Sequence, residues 1–86
     1  MTKQQLINIP VFSERLRRIR KEKLVNQIEL ADFLSVAQNT VSNWEIGRAQ
    51  PDIDTIVKIS DFFEISTDYL LGVSDKQEEI ALRRNI

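Results

Sequence analysis

The residues best suited to chemistry lie in one decapeptide, VAQNTVSNWE, running from Val36 to Glu45. Gln38, Asn39, Ser42 and Asn43 are amides and a hydroxyl at helical spacing, and no charge appears before Glu45. A surface helix ordinarily turns Lys and Glu toward water. An amide carries both a donor and an acceptor, so Gln or Asn meets N6 and N7 of adenine in a bidentate contact. Each such contact discriminates by about 1–3 kcal/mol. The edges of bases in a groove are the surface these side chains match, and the alternative is an uncharged face that simply meets solvent.

Other chemistries have little to work with. The 86 residues include no His and no Cys, which removes the commonest general base, the commonest transition-metal ligand and any disulfide framework. Asp and Glu fall singly among helical patterns, without a Gly-rich segment to form a pocket. The reading is a non-enzyme without metal or cofactor. No apolar run approaches the roughly 18 residues a membrane span needs, and the start MTKQQLINIP lacks a secretory pattern. The cytoplasm is the expected location. The net charge of −1 hides an asymmetry: residues 12–48 hold seven basic and five acidic side chains, residues 49–86 four and eight. Six of the basic residues lie in RLRRIRKEK, Arg15 to Lys23, which faces a polyanion or is simply a solvated helix face.

Helical elements must position the decapeptide. The chain has room for one small domain. Phe12, Leu16 and Ile19 recur at intervals of four and three, with Ser13 placed to cap, so a first helix is predicted over 13–23. Asn26 and Glu29 have capping-box spacing, and Leu30, Ala31 and Leu34 form the buried stripe of a second helix over 27–34. A third, over 38–46, buries Val41 and Trp44 and stops at Gly47. Asp52 caps a fourth that ends near 63, with Ile53, Ile56, Ile59 or Val57, and Phe62 or Phe63 facing inward. Ser66 caps the short helix TDYLL, closed by Gly72. With only two glycines available, Leu24, Ser35 and Glu64 stand at the other helix exits; either each turns left-handed at a cost on the order of 1 kcal/mol, or those helices end by another route. The architecture expected is all-α and five-helical. It comprises an N-terminal arm over 1–11, a domain over 12–72, and a tail or short sixth helix over 73–86 anchored by Ile80.

Two short helices joined by a three-residue turn fit a helix-turn-helix whose second helix enters the major groove. Ala31 is small where the helices cross, Val36 plugs the turn, and Val41 and Trp44 anchor the second helix from below. The stretches RLRRIRKEK, NQIELADFLSV, NTVSNWEIGRAQP and ISTDYLLG together resemble the lambda-repressor-like domain of the XRE family, which includes phage repressors and Cro-type proteins. The resemblance implies a compact five-helix domain, a homodimer on a pseudo-palindromic double-stranded operator, and the role of repressor or switch. It assigns base contacts to Gln38, Asn39 and Asn43, with Thr40, Ser42 and Arg48 at phosphates or base edges. It sets Gln27 against a phosphate and against Gln38, with Asn26 beside it, and pairs Arg20 with Glu45 in a partly buried ion pair. Arg20 on a phosphate is the alternative.

The sequence departs from that family at several places. Ser35 replaces the usual turn Gly, and Ala37 replaces a hydroxyl cap. Ile28, Phe33 and Ile46 are apolar where relatives are often polar. They either pack beneath LINIPVF or form a patch for a protein partner, and the second option keeps a protein-interaction module open as an alternative function. Candidate dimer surfaces are Tyr69, Leu70 and Leu71 on the fifth helix, or Ile80 and Leu82 in the tail.

Overall fold

The computed structural model describes residues 9–77. They form α1 (Ile9–Glu22), α2 (Gln27–Leu34), α3 (Gln38–Glu45), α4 (Ile53–Phe63) and α5 (Thr67–Leu71), and no strand occurs among the described residues. The all-α, five-helix architecture matches the expectation. α1 forms the spine against which α3 and α5 pack, α2 crosses α3, and α4 closes over α2 and α5. Phe12, Leu16 and Ile19 from α1 meet Leu30, Val41, Ile59 and Leu70 in one core.

Three helices begin on a side-chain cap. Asn26 and Glu29 form the capping box, with both bonds at 2.8 Å. Asp52 accepts the Thr55 N–H at 2.9 Å, and Ser66 accepts that of Tyr69 at 2.9 Å. Hydrogen bonding from Thr55, its side chain first and its backbone second, holds the Asp52 carboxyl below its ordinary range. Ala37 gives α3 no side-chain cap.

All five exits share one device, a backbone bond closing six residues: Val25 to Arg20, Val36 to Ala31, Arg48 to Asn43, Ile65 to Ser60, and Val73 to Asp68. Gly47 and Gly72 supply the left-handed residue in two cases, while Leu24, Ser35 and Glu64 take φ of 59°, 60° and 58° in the others. At those three exits the next residue, Val25, Val36 or Ile65, packs on the core and holds the turn closed. Leu24 itself is 89% exposed, so its side chain gains nothing from this conformation. Leu24→Gly is expected to raise the unfolding free energy by about 0.5–1 kcal/mol, checked by urea denaturation, because relief of strain outweighs the added freedom of the unfolded chain.

Three expectations are corrected. α1 starts at Ile9 rather than at residue 13, and Ser13 is therefore not a cap. Pro10 is tolerated in a first turn because the N–H it lacks has no partner there. Ser13 is buried within the helix, and its hydroxyl donates to the Trp44 carbonyl at 2.8 Å. On α4, Ile59 and Phe63 are buried, but Ile53 is 76% exposed and Val57 is exposed as well. The residues beyond Gly72 are irregular as far as Gln77, and they strap back onto the domain through bonds from the Ser66 N–H to the Gln77 carbonyl and from the Ser66 hydroxyl to the Lys76 carbonyl. The sixth helix expected around Ile80 and the candidate dimer contact Leu82 lie outside the described residues.

Candidate nucleic-acid interface

The α2–α3 pair positions the amides. Ala31, 2% exposed, lets the two helices cross closely, and Leu30, Leu34 and half-buried Val36 fill the space beneath the turn. On α3, Val41, Trp44 and Glu45 are buried. At roughly 100° per residue these three span one arc of the helix, Asn39 and Asn43 fall on the opposite one, and Ser42 and Gln38 lie between, with Gln38 bordering the buried arc about 20° from Glu45. Gln38 and Asn39 at the leading end are exposed, while Ser42 and Asn43 are half-buried farther along. The polar face is thus set by how α3 is anchored.

A hydrogen-bonded chain runs from the interior to this face. Arg20 donates from Nε to Glu45 Oε2 at 2.6 Å and from Nη2 to Oε1 at 2.9 Å, and its Nη1 donates to the Val25 carbonyl at 2.9 Å. Gln27 Nε2 donates to Glu45 Oε1 at 3.1 Å, and Gln38 Nε2 donates to Gln27 Oε1 at 3.2 Å. The side chains of Arg20 and Glu45 are only 9% and 2% exposed, which places the pair in the buried regime. Hydrogen bonding to Glu45 raises the Arg20 pKa above its ordinary value; burial opposes this and the Glu45 charge assists. Arg20 is therefore the ion-pair residue, and its guanidinium is turned inward rather than toward a phosphate.

The remaining candidates separate by exposure. Asn26 and Arg48 are exposed and Thr40 is half-buried. The Arg48 N–H bonds to the Asn43 carbonyl at 2.9 Å, so the chain leaves α3 beside its polar face. The basic run of α1 is divided among several tasks. Arg15 donates to the carbonyls of Tyr69 and Ser74, both at 2.7 Å, pairs with Asp75 at 2.8 Å and lies 4.4 Å above the Tyr69 ring. It clamps α5 and the segment after it, a role that neither charge nor spacing revealed. Arg18 pairs with Glu14 at 3.2 Å, and Arg17, Lys21 and Lys23 are exposed.

Of the three unusual apolar residues, Phe33 stacks on Phe62 with ring centroids 4.5 Å apart yet stays 52% exposed, and Ile28 and Ile46 are 54% and 60% exposed. Tyr69 and Leu70 are buried, so of the fifth-helix candidates for a dimer surface only half-buried Leu71 reaches outward. Among the described residues no group of acidic or imidazole side chains forms a metal site, and no helix is long and apolar enough to cross a membrane.

Comparison with known proteins agrees with this geometry. The chain is 41% identical over 70 residues to the SPbeta prophage-derived HTH-type transcriptional regulator YonR of Bacillus subtilis (strain 168), an alignment covering 81% of this chain and 65% of that one. It is 40% identical over 78 residues to the B. subtilis HTH-type transcriptional regulator ImmR, covering 87% and 61% respectively. The chain thus spans somewhat under two thirds of the length of these relatives. The fold superimposes on the P22 c2 repressor, solved in complex with a synthetic operator, with a TM-score of 0.69 and 28% identity over 74% of this chain and 97% of that one. The helix-turn-helix profile matches residues 16–70, and with these relatives it establishes that the chain belongs to the helix-turn-helix family, in its lambda-repressor-like, XRE-type branch.

Proposed function

We propose that the protein is a sequence-specific DNA-binding transcription regulator, of repressor type, that acts in the cytoplasm by placing α3 in the major groove of an operator. The observation that carries this reading is the uncharged amide face of α3, which lies outside the buried Val41–Trp44 stripe. Gln38, Asn39, Ser42 and Asn43 read base edges, and Asn26, Thr40 and Arg48 meet the flanking phosphates. Gln27 supports Gln38 and shares the phosphate neighbourhood of Asn26. The P22 c2 repressor, whose fold this chain shares, is solved on operator DNA, and a further relative with 35% identity is the CTXphi repressor RstR of Vibrio cholerae.

The operator is read by two copies related by a two-fold axis. Their recognition helices must stand about 34 Å apart to enter successive major grooves on one side of the duplex. An apolar groove lined by Phe12, Pro51, Ile53, Ile56 and Leu71 adjoins the loop that follows α3. A second copy seated there covers the exposed Ile53.

Selection from random DNA, followed by titration at two salt concentrations, tests the reading. Half-sites carrying adenine at the amide-read positions are expected, with no stable binding to arbitrary sequence at physiological salt because the net charge is only −1. Selection that returns only G-rich half-sites, or none, overturns it. The exposed Phe33–Phe62 stack favours one second reading, a protein-interaction module on the same fold.

A further inference from the structure

We propose that Glu45, which reaches no base itself, determines which base Gln38 accepts, by fixing the polarity of the two amides between it and the groove. The inference rests on the reading that Gln38 faces a base edge. Glu45 is buried and paired with Arg20, and a carboxylate in that state only accepts hydrogen bonds. Gln27 must therefore offer it an N–H, as the 3.1 Å bond from Nε2 to Glu45 Oε1 records. The oxygen of Gln27 is left facing Gln38, whose Nε2 donates to it at 3.2 Å.

An amide is asymmetric, so the order is transmitted without loss along the chain. With one N–H of Gln38 committed to Gln27, its oxygen and its second N–H remain for the groove. That acceptor–donor pair matches adenine, which presents an N6 donor and an N7 acceptor. Were Gln38 reversed, its oxygen would face Gln27 and two N–H groups would face the groove, the match for O6 and N7 of guanine. Adenine over guanine at this position is thus decided at a buried carboxylate two side chains away. Glu45 and Gln27 are positioning residues, and their signature is a changed base preference rather than a uniform change in affinity.

Gln27→Lys inverts the order while keeping Glu45 paired, since an ammonium donates both to Glu45 and toward Gln38 and accepts from neither. Gln27 is half-buried at the first turn of α2. The ratio of affinities for operators with adenine and with guanine at the Gln38 position is measured by competition, so any general gain from the added charge cancels. The expected result is a swing toward guanine on the order of tenfold or more. Gln27→Met, of similar length and without polarity, should instead bring the ratio toward parity, with thermal unfolding confirming that both variants fold. An adenine preference retained in Gln27→Met, or retained unchanged in a folded Gln27→Lys, overturns the proposal. Gln38→Ala separates this failure from that of the underlying reading. If Gln38→Ala leaves the preference intact, Gln38 reads no base; if it abolishes the preference while the Gln27 variants do not move it, only the relay is wrong.

Discussion

Arg20→Met is expected to lower the unfolding free energy by about 3–5 kcal/mol, because it leaves the carboxylate of Glu45 buried without its cation. The size follows from exposure. Were the pair at the surface, the loss would be at most about 1 kcal/mol, but side chains 9% and 2% exposed cannot recover hydration when the partner is removed. A small domain has about 5–15 kcal/mol in total, so the single variant sits close to unfolding at growth temperature. Replacing both members, as Arg20→Met with Glu45→Leu, removes the stranded charge and should restore most of the stability, since an apolar pair of similar volume fills the same space. Urea denaturation of the wild type, the two single variants and the double variant gives the coupling energy directly. A single variant destabilised by less than about 1 kcal/mol would show that water reaches Glu45.

The stability of the double variant bears on why the ion pair is there. If a hydrophobic pair serves the fold nearly as well, the carboxylate at position 45 has another use, and the bond from Gln27 supplies one. Stability and readout share this residue: Arg20 pairs with Glu45 in the interior, and Glu45 in turn orders the amides that reach the surface. The two oxygens of one carboxylate serve both ends of the chain of bonds.

Much of this was legible in the sequence where a local signal coincided with a tertiary need. Asn26, Asp52 and Ser66 cap as their types and spacing imply, and the apolar stripe of α3 predicted its orientation and so its polar face. Counting helix exits against glycines singled out Leu24, Ser35 and Glu64 but left open whether they turn left-handed or the helices end by another route; all three take positive φ. Misreadings arose where a residue type had two uses. Ser13 has the side chain of a cap, but a carbonyl near the end of α3 lay within its reach and α1 continued through it. Ile53 has the side chain of a core residue, but the first turn of α4 stands clear of the neighbouring helices and leaves it exposed. Arg15 looked like one cation in a basic run, and only the return of α5 to α1 supplies the carbonyls and the ring that engage it. The link from Gln27 to Glu45 joins residues 18 apart in sequence, a pairing for which single-sequence spacing carries no signal.

The largest functional effect is expected from replacing Gln38, Asn39 and Asn43 together by alanine. All three lie outside the buried stripe, and alanine is the best helix former, so α3 should persist and thermal stability should change little. Removing one bidentate amide–base pairing costs about 1–3 kcal/mol of discrimination, so removing three reduces the preference for operator over arbitrary DNA by at least about a hundredfold. The side chains of Asn26, Thr40 and Arg48, which we propose meet phosphates, are untouched, and the residual binding should therefore keep its salt dependence while its sequence dependence disappears. Replacing Arg48 alone has the converse signature, a weakening shared by all sequences and a shallower salt slope. The triple variant also decides between the two functional readings. A regulator can no longer control its operator when these side chains go, whereas a protein-interaction module built on the exposed Phe33–Phe62 stack keeps its partner and its activity. Full regulatory activity in a folded triple variant would mean that the amide face of α3 meets solvent after all, and that the partner sits on the apolar stack between α2 and α4.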